Sequence, residues 1–122
     1  MFSRLNNYLR SYRRRTGLSQ SDVAFLLGSH NEAQVSRYEK GHHLPPLRTA
    51  LAYTAIFGVS LGELFSGIKL GVEKELLPRI KELRTKLENR RKDHQATAAD
   101  LRKLRWFDER WPAVRNQSDS AA

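Results

Sequence analysis

Four glycines, Gly17, Gly28, Gly41 and Gly58, punctuate the first half of this chain. Each closes a stretch whose apolar side chains recur three or four positions apart, the repeat that gathers them on one face of a helix. None of these stretches alternates in the two-residue rhythm of a strand. Short helices are marginal when isolated in water and are stabilised by packing their apolar faces together. The punctuation therefore predicts an all-α unit of five short helices over residues 4–66.

The first stripe runs through Leu5, Tyr8, Leu9 and Tyr12 and closes on Arg13, Arg14 and Arg15, where positive charge suits a helix C-terminus. Ser19 with Asp22 three residues on is a capping box for a second helix, whose inward residues are Val23, Ala24 and Leu27. Asn31 caps a third, with Gln34 placed to complete another box. Val35 and Tyr38 are its inward pair. After HHLPP, Pro46 suits the start of a fourth helix, with apolar content from Leu47, Ala50, Leu51, Ile56 and Phe57. Ser60 caps a short fifth, LGELF, and Gly67 reads as a breaker.

From Glu73 the texture changes. Leu76, Ile80, Leu83 and Leu87 follow the 4-3-4 spacing of a coiled-coil seam. Acid–base pairs at i, i+4, such as Glu82 and Lys86, support an exposed helix face. Continuing the seam gives three polar positions, Arg90, His94 and Thr97, before Leu101 and Leu104 resume it. Two readings stay open: one long helix with a wet middle, or a hairpin turning near Asp93 to Thr97. We favour the hairpin, because three polar seam positions in a row cost packing. Trp106, Phe107 and Trp111 add apolar surface that one thin helix cannot bury. The resulting division is 1–67 for the first domain, 72–112 for a helical extension and 113–122 for a disordered tail.

Charge narrows the partner. The chain of 122 residues carries a formal charge of +9 and a pI near 10.4, which favours a polyanion. There is no cysteine, hence no disulfide or Cys-ligated zinc, and adjacent His42 and His43 are poorly spaced for a shared metal. No P-loop, HExxH or Ser–His–Asp grouping suggests an enzyme, and nothing calls for a cofactor. No apolar run approaches the roughly 20 residues needed to span a bilayer. A soluble, cytoplasmic protein is expected, with no membrane role.

The polar side of the third helix is the informative one. Gln34 can contact adenine through both amide atoms, Arg37 can reach guanine or a phosphate, and Ser36 a base or a phosphate. Glu32 can accept from cytosine, and Ala33 offers only a methyl group to a thymine methyl. Arg13, Arg15 and Lys40, from the basic end of the first helix and the exit of the third, suit DNA backbone contacts.

Residues 5–65 resemble the Cro/C1-type helix-turn-helix domain of phage repressors and xenobiotic-response-element regulators, a lambda-repressor-like five-helix fold. The resemblance lies in GLSQSDVAFLLG, then QVSRYEKG, then PPLRTALAYTAIFGVSLGELF, in that order. It implies that Gln20, with Ser19 beside it, reaches a phosphate and braces the recognition helix. It also implies that Glu32, Ala33 and Gln34, with Ser36 and Arg37, approach base edges or backbone. Glu39 matches an acidic position that usually pairs with a basic residue, and Arg10 and Arg14 are candidates. Gly28 to Ser36 holds one residue more than the usual spacing, which we place before Asn31 to preserve the cap.

The expected function is a sequence-specific transcriptional regulator, a repressor, binding double-stranded DNA as a homodimer. The oligomerisation set is Leu76, Ile80, Leu83, Leu87, Leu101, Leu104, Trp106, Phe107 and Trp111. The alternative is an antitoxin-like module that holds a protein partner through these same C-terminal helices.

Overall fold

A computed structural model describes residues 7–115. Within them the chain forms α1 (Leu9–Thr16), α2 (Gln20–Leu26), α3 (Glu32–Glu39), α4 (Leu47–Phe57), α5 (Leu61–Leu64), α6 (Ser66–Lys92) and α7 (Ala98–Arg110). It is an all-α protein: five N-terminal helices make one domain, and a helical extension follows. Two compact units divide between Gly71 and Val72.

In the first unit, Leu9, Val23, Ala24, Val35, Tyr38, Ala50, Tyr53, Leu64 and Phe65 form the core. Their contributions come from every one of the five helices, which is how elements this short become stable together. Tyr53 is the hub. Its ring stacks on Phe57 at 6.0 Å and meets Tyr38 edge-on at 6.4 Å. Its buried hydroxyl has no protein partner, and burial pushes its pKa up. Of the apolar residues the sequence offers for α4, Leu47 and Leu51 are exposed. Ala50, from the same set, is buried and Phe57 partly so, and Tyr53, outside the set, completes their face: Tyr53 meets Tyr38 of α3, and the Phe57 ring lies 6.1 Å from that of Tyr12 of α1.

Helix ends follow local chemistry. Gly17 ends α1 in the left-handed conformation, at φ 81°, which a residue without Cβ adopts at little cost. The Ser19–Asp22 capping box is complete, at 2.9 Å in both directions. Hydrogen bonds from Ser19 hold the exposed Asp22 carboxyl below its usual pKa. α1 starts later than the apolar stripe suggested: Tyr8 precedes the helix and is exposed, and Leu5 lies outside the described residues. Asn7 organises this start. Its side-chain oxygen accepts from the Leu9 N–H at 3.1 Å, and its amide donates to the Tyr38 carbonyl at 2.9 Å.

Gly67 does not break the chain, for α6 runs through it, through Gly71 and through Pro78. A helical glycine costs only about 1 kcal/mol, and the neighbouring Phe65 and Ile68 pack on the first core.

The second unit is a helical hairpin, so the single-helix reading falls. α6 stops at Lys92, His94 takes φ 58°, and Thr97 opens α7 with a full capping box to Asp100. Thr97 N–H and Arg90 are among the groups that hold the Asp100 carboxyl below its ordinary pKa. Arg84 and Asp108 join the two helices at 2.8 Å, with Arg84 buried. Among its described residues, Ile80, Leu87, Leu104 and Val114 are the buried apolar ones. The sequence seam is thereby split: Ile80 and Leu87 are buried, whereas Leu76 and Leu83 are 40% and 43% exposed. The tail was expected to begin at 113, but 112–115 form a helical turn with Val114 buried. Residues 116–122 lie outside the described residues.

Candidate nucleic-acid interface

α2 and α3 are joined by a turn that settles where the additional residue sits. Ser29 and His30 N–H groups both donate to the Ala24 carbonyl, at 3.1 and 3.4 Å. His30 adopts φ 54° and packs its ring 5.6 Å from Phe25. The chain then reaches Asn31, whose side-chain oxygen accepts from the Gln34 N–H at 3.1 Å. The cap at Asn31 is therefore kept, and the surplus is absorbed before it. The reciprocal half of the expected box is not made. The Gln34 side chain turns away, its oxygen accepting from Arg37 at 3.1 Å.

α3 is held on its inner side by Val35 and Tyr38, both buried. Its C-terminus is clamped by charge. Glu39 accepts from Arg13 Nε at 2.6 Å and Nη2 at 3.1 Å, and from Gln20 Nε2 at 3.1 Å. The partner of Glu39 is thus Arg13, not Arg10 or Arg14. One helical turn of periodicity decides it, since Arg13 lies on the inner side of α1 near Leu9, whereas Arg10 and Arg14 are exposed. The Glu39 side chain is only 3% exposed and that of Arg13 13%. The carboxylate raises the Arg13 pKa further above its ordinary value. Arg13 also donates Nη1 to the Leu18 carbonyl at 3.1 Å. With its guanidinium occupied on three sides, Arg13 is a brace between α1, α2 and α3 rather than a side chain free for a phosphate.

The remaining polar residues sort by face. Glu32, Ser36 and Lys40 lie one turn apart along α3 and line an open groove of ≈ 1140 Å³ with Arg10, Ser19 and Gln20. Ala33 and Arg37 are exposed on the outer face, and Gln34 is half-buried. Arg15 stands apart, its guanidinium 4.8 Å from the Tyr12 ring centroid. His42 also lines the groove, and His43 sits beside Gln34. Sequence reading set both histidines aside, and only the course of the loop places them.

A helix-turn-helix family matches residues 9–64, a little under half of the chain. Residues 9–64 are a Cro/C1-type helix-turn-helix DNA-binding domain. The chain is accordingly a DNA-binding regulatory protein, and the Cro/C1-type domain is a DNA-binding module, not a catalytic fold. Comparison with curated proteins and with solved structures found no match. Among the described residues no cluster of three or more His, Asp and Glu is placed to hold a metal ion. Nor is any helix there long and apolar enough to cross a membrane.

Proposed function

We propose that this protein is a sequence-specific transcriptional repressor that binds double-stranded DNA as a homodimer in the cytoplasm. One observation carries the reading: α3 is capped, pinned and clamped on one side while its other side displays polar groups. The major groove of B-DNA admits a helix of this width and presents distinct donor and acceptor patterns. Glu32, Ala33, Ser36 and Arg37 form the base-facing set, with Gln34 beside Arg37 on the same helix. Ser19, Gln20, Arg15 and Lys40 serve the phosphates, and Arg13 is left out because Glu39 and Leu18 occupy it.

Titration of a duplex across a salt series tests the backbone set. Neutralising Arg15 or Lys40 should weaken binding to any duplex and reduce the slope of log K against log salt by about one unit. Arg13→Lys should leave that slope unchanged. Unchanged slopes for both Arg15 and Lys40 variants would move the phosphate surface elsewhere.

A single α3 reads about half a site, and two-fold pairing would place two such helices one DNA turn apart. The exposed apolar residues of the extension support such pairing. Val72, Leu76 and Leu83 share one face of α6 by their spacing, and Leu101 and Trp106, the latter 58% exposed, are uncovered on α7. Ile80, Leu87 and Leu104 drop out of the original oligomerisation set, being buried within the hairpin. Phe107 and Trp111 are half-buried, their ring centroids 5.9 Å apart. Sedimentation equilibrium of the wild type and of Leu76→Lys/Leu83→Lys should give a dimer and a monomer of equal helicity. A monomeric wild type at tens of micromolar, or a variant that still dimerises, rules out this face.

A further inference from the structure

Gln34 and Arg37, one turn apart on α3, are not independent side chains. Arg37 Nη1 donates to Gln34 Oε1 at 3.1 Å, and the Gln34 amide nitrogen lies 3.5 Å from His43 Nδ1. A guanidinium carries donors only, so the atom facing it has to be the amide oxygen. The amide nitrogen then points the other way, to His43. The backbone accounts for His43 being there. The N–H groups of His42 and His43 both donate to the Arg37 carbonyl, at 3.0 and 3.4 Å, and this curls the loop back against the end of α3.

Resting on the proposed insertion of α3 into the major groove, we infer that these two residues form one reading unit: Arg37 selects guanine, and Gln34 is the positioning residue that holds its guanidinium. A glutamine that reads adenine presents both amide atoms to N6 and N7 of the base. Here the oxygen faces Arg37 and the nitrogen faces His43, so neither is turned outward. Arg37 is exposed, and a guanidinium with five N–H donors has one engaged by Gln34. The remaining donors suffice for the two-pronged contact to guanine O6 and N7, the commonest specific contact in the major groove. A long arginine side chain loses rotamer freedom on binding. Anchoring it beforehand to Gln34 lowers that loss, which is the physical service a positioning residue provides.

Selection of the full chain against a duplex library with a randomised core, followed by anisotropy titrations of enriched duplexes and their single-base changes, tests the unit. The wild type should enrich a half-site with a G·C pair whose replacement by A·T costs about 10-fold or more in Kd. That preference should vanish in Arg37→Ala and shrink at the same base pair in Gln34→Ala. The double variant should discriminate no worse than Arg37→Ala alone. Gln34→Glu keeps an acceptor for Arg37 and discards the amide donor, so it should retain the guanine preference even where overall affinity falls. Far-UV circular dichroism of each variant separates lost folding from lost reading. Relaxation by Gln34→Ala at a different, A·T pair, or loss of the guanine preference in a folded Gln34→Glu, would overturn the pairing while leaving α3 as the reading helix. A wild type that enriches no sequence would overturn the base-reading assignment of α3 along with it.

Discussion

Glu39→Ala should destabilise the DNA-binding domain by about 3–5 kcal/mol, the cost of removing one partner from a buried ion pair. The Arg13 guanidinium would lose two of its acceptor contacts while remaining largely shielded from water. Gln20 would lose the same anchor. Domains have total stabilities of only about 5–15 kcal/mol, so the loss would remove a large share of the first unit's margin against unfolding. Arg13→Ala should act in the same direction, and Arg13→Lys should recover only part, because an ammonium cannot form the two-pronged contact. Urea titration followed by circular dichroism reads the effect, and a double-mutant cycle reads the coupling. A loss below about 1 kcal/mol in Glu39→Ala would make the pair equivalent to a solvated surface bridge. Strictly additive single losses would show that the two side chains do not act together.

Leu87→Ala is the second large effect. Leu87 is 1% exposed in the hairpin, and among the described residues its buried apolar companions there are Ile80, Leu104 and Val114. Truncating such a leucine costs about 2–5 kcal/mol, through lost burial and the cavity left behind. A two-helix unit with so few buried residues has little stability to lose. Amide hydrogen exchange read by mass spectrometry should show protection disappearing from α7 and from α6 beyond Gly71. The helices α1 to α4 should keep theirs. Protection retained in α7 would mean that the hairpin is held by Arg84 and Asp108 more than by its apolar seam. If the dimer face is that of Leu76 and Leu83, the variant should also sediment as a monomer, since a melted hairpin cannot present it.

How legible each part was depended on how local its cause is. The Ser19–Asp22 box, the Asn31 cap and the inward pair Val35 and Tyr38 are decided within one helical turn, and the sequence alone exposes them. Thr97 and Asp100 form the same kind of box. Read for its capping pattern, T-A-A-D would have fixed the start of α7 and the hairpin with it. The family resemblance gives Glu39 a basic partner, with Arg10 and Arg14 as the candidates. It does not reach Arg13, the partner the structure shows, because the rotation of α1 is set by where Leu9 packs.

The amino-acid sequence by itself determined that this chain is all-α, where most of its helices are capped, which face of α3 is buried, and that its first half is a helix-turn-helix DNA-binding domain. The first three follow from short-range hydrogen bonding and from the repeat of apolar residues, and the last from the resemblance of its motifs to the Cro/C1-type family. Tertiary structure decided the rest. It assigned Arg13 to Glu39, made Tyr53 the hub while leaving Leu47 and Leu51 exposed, and divided one leucine seam between a buried and an exposed face. It also brought His43 to the side of Gln34. Each of these choices depends on how two elements distant in sequence, or a loop and a helix, meet in space. A spacing within one element sets which residues share a face, but not which neighbour that face will meet.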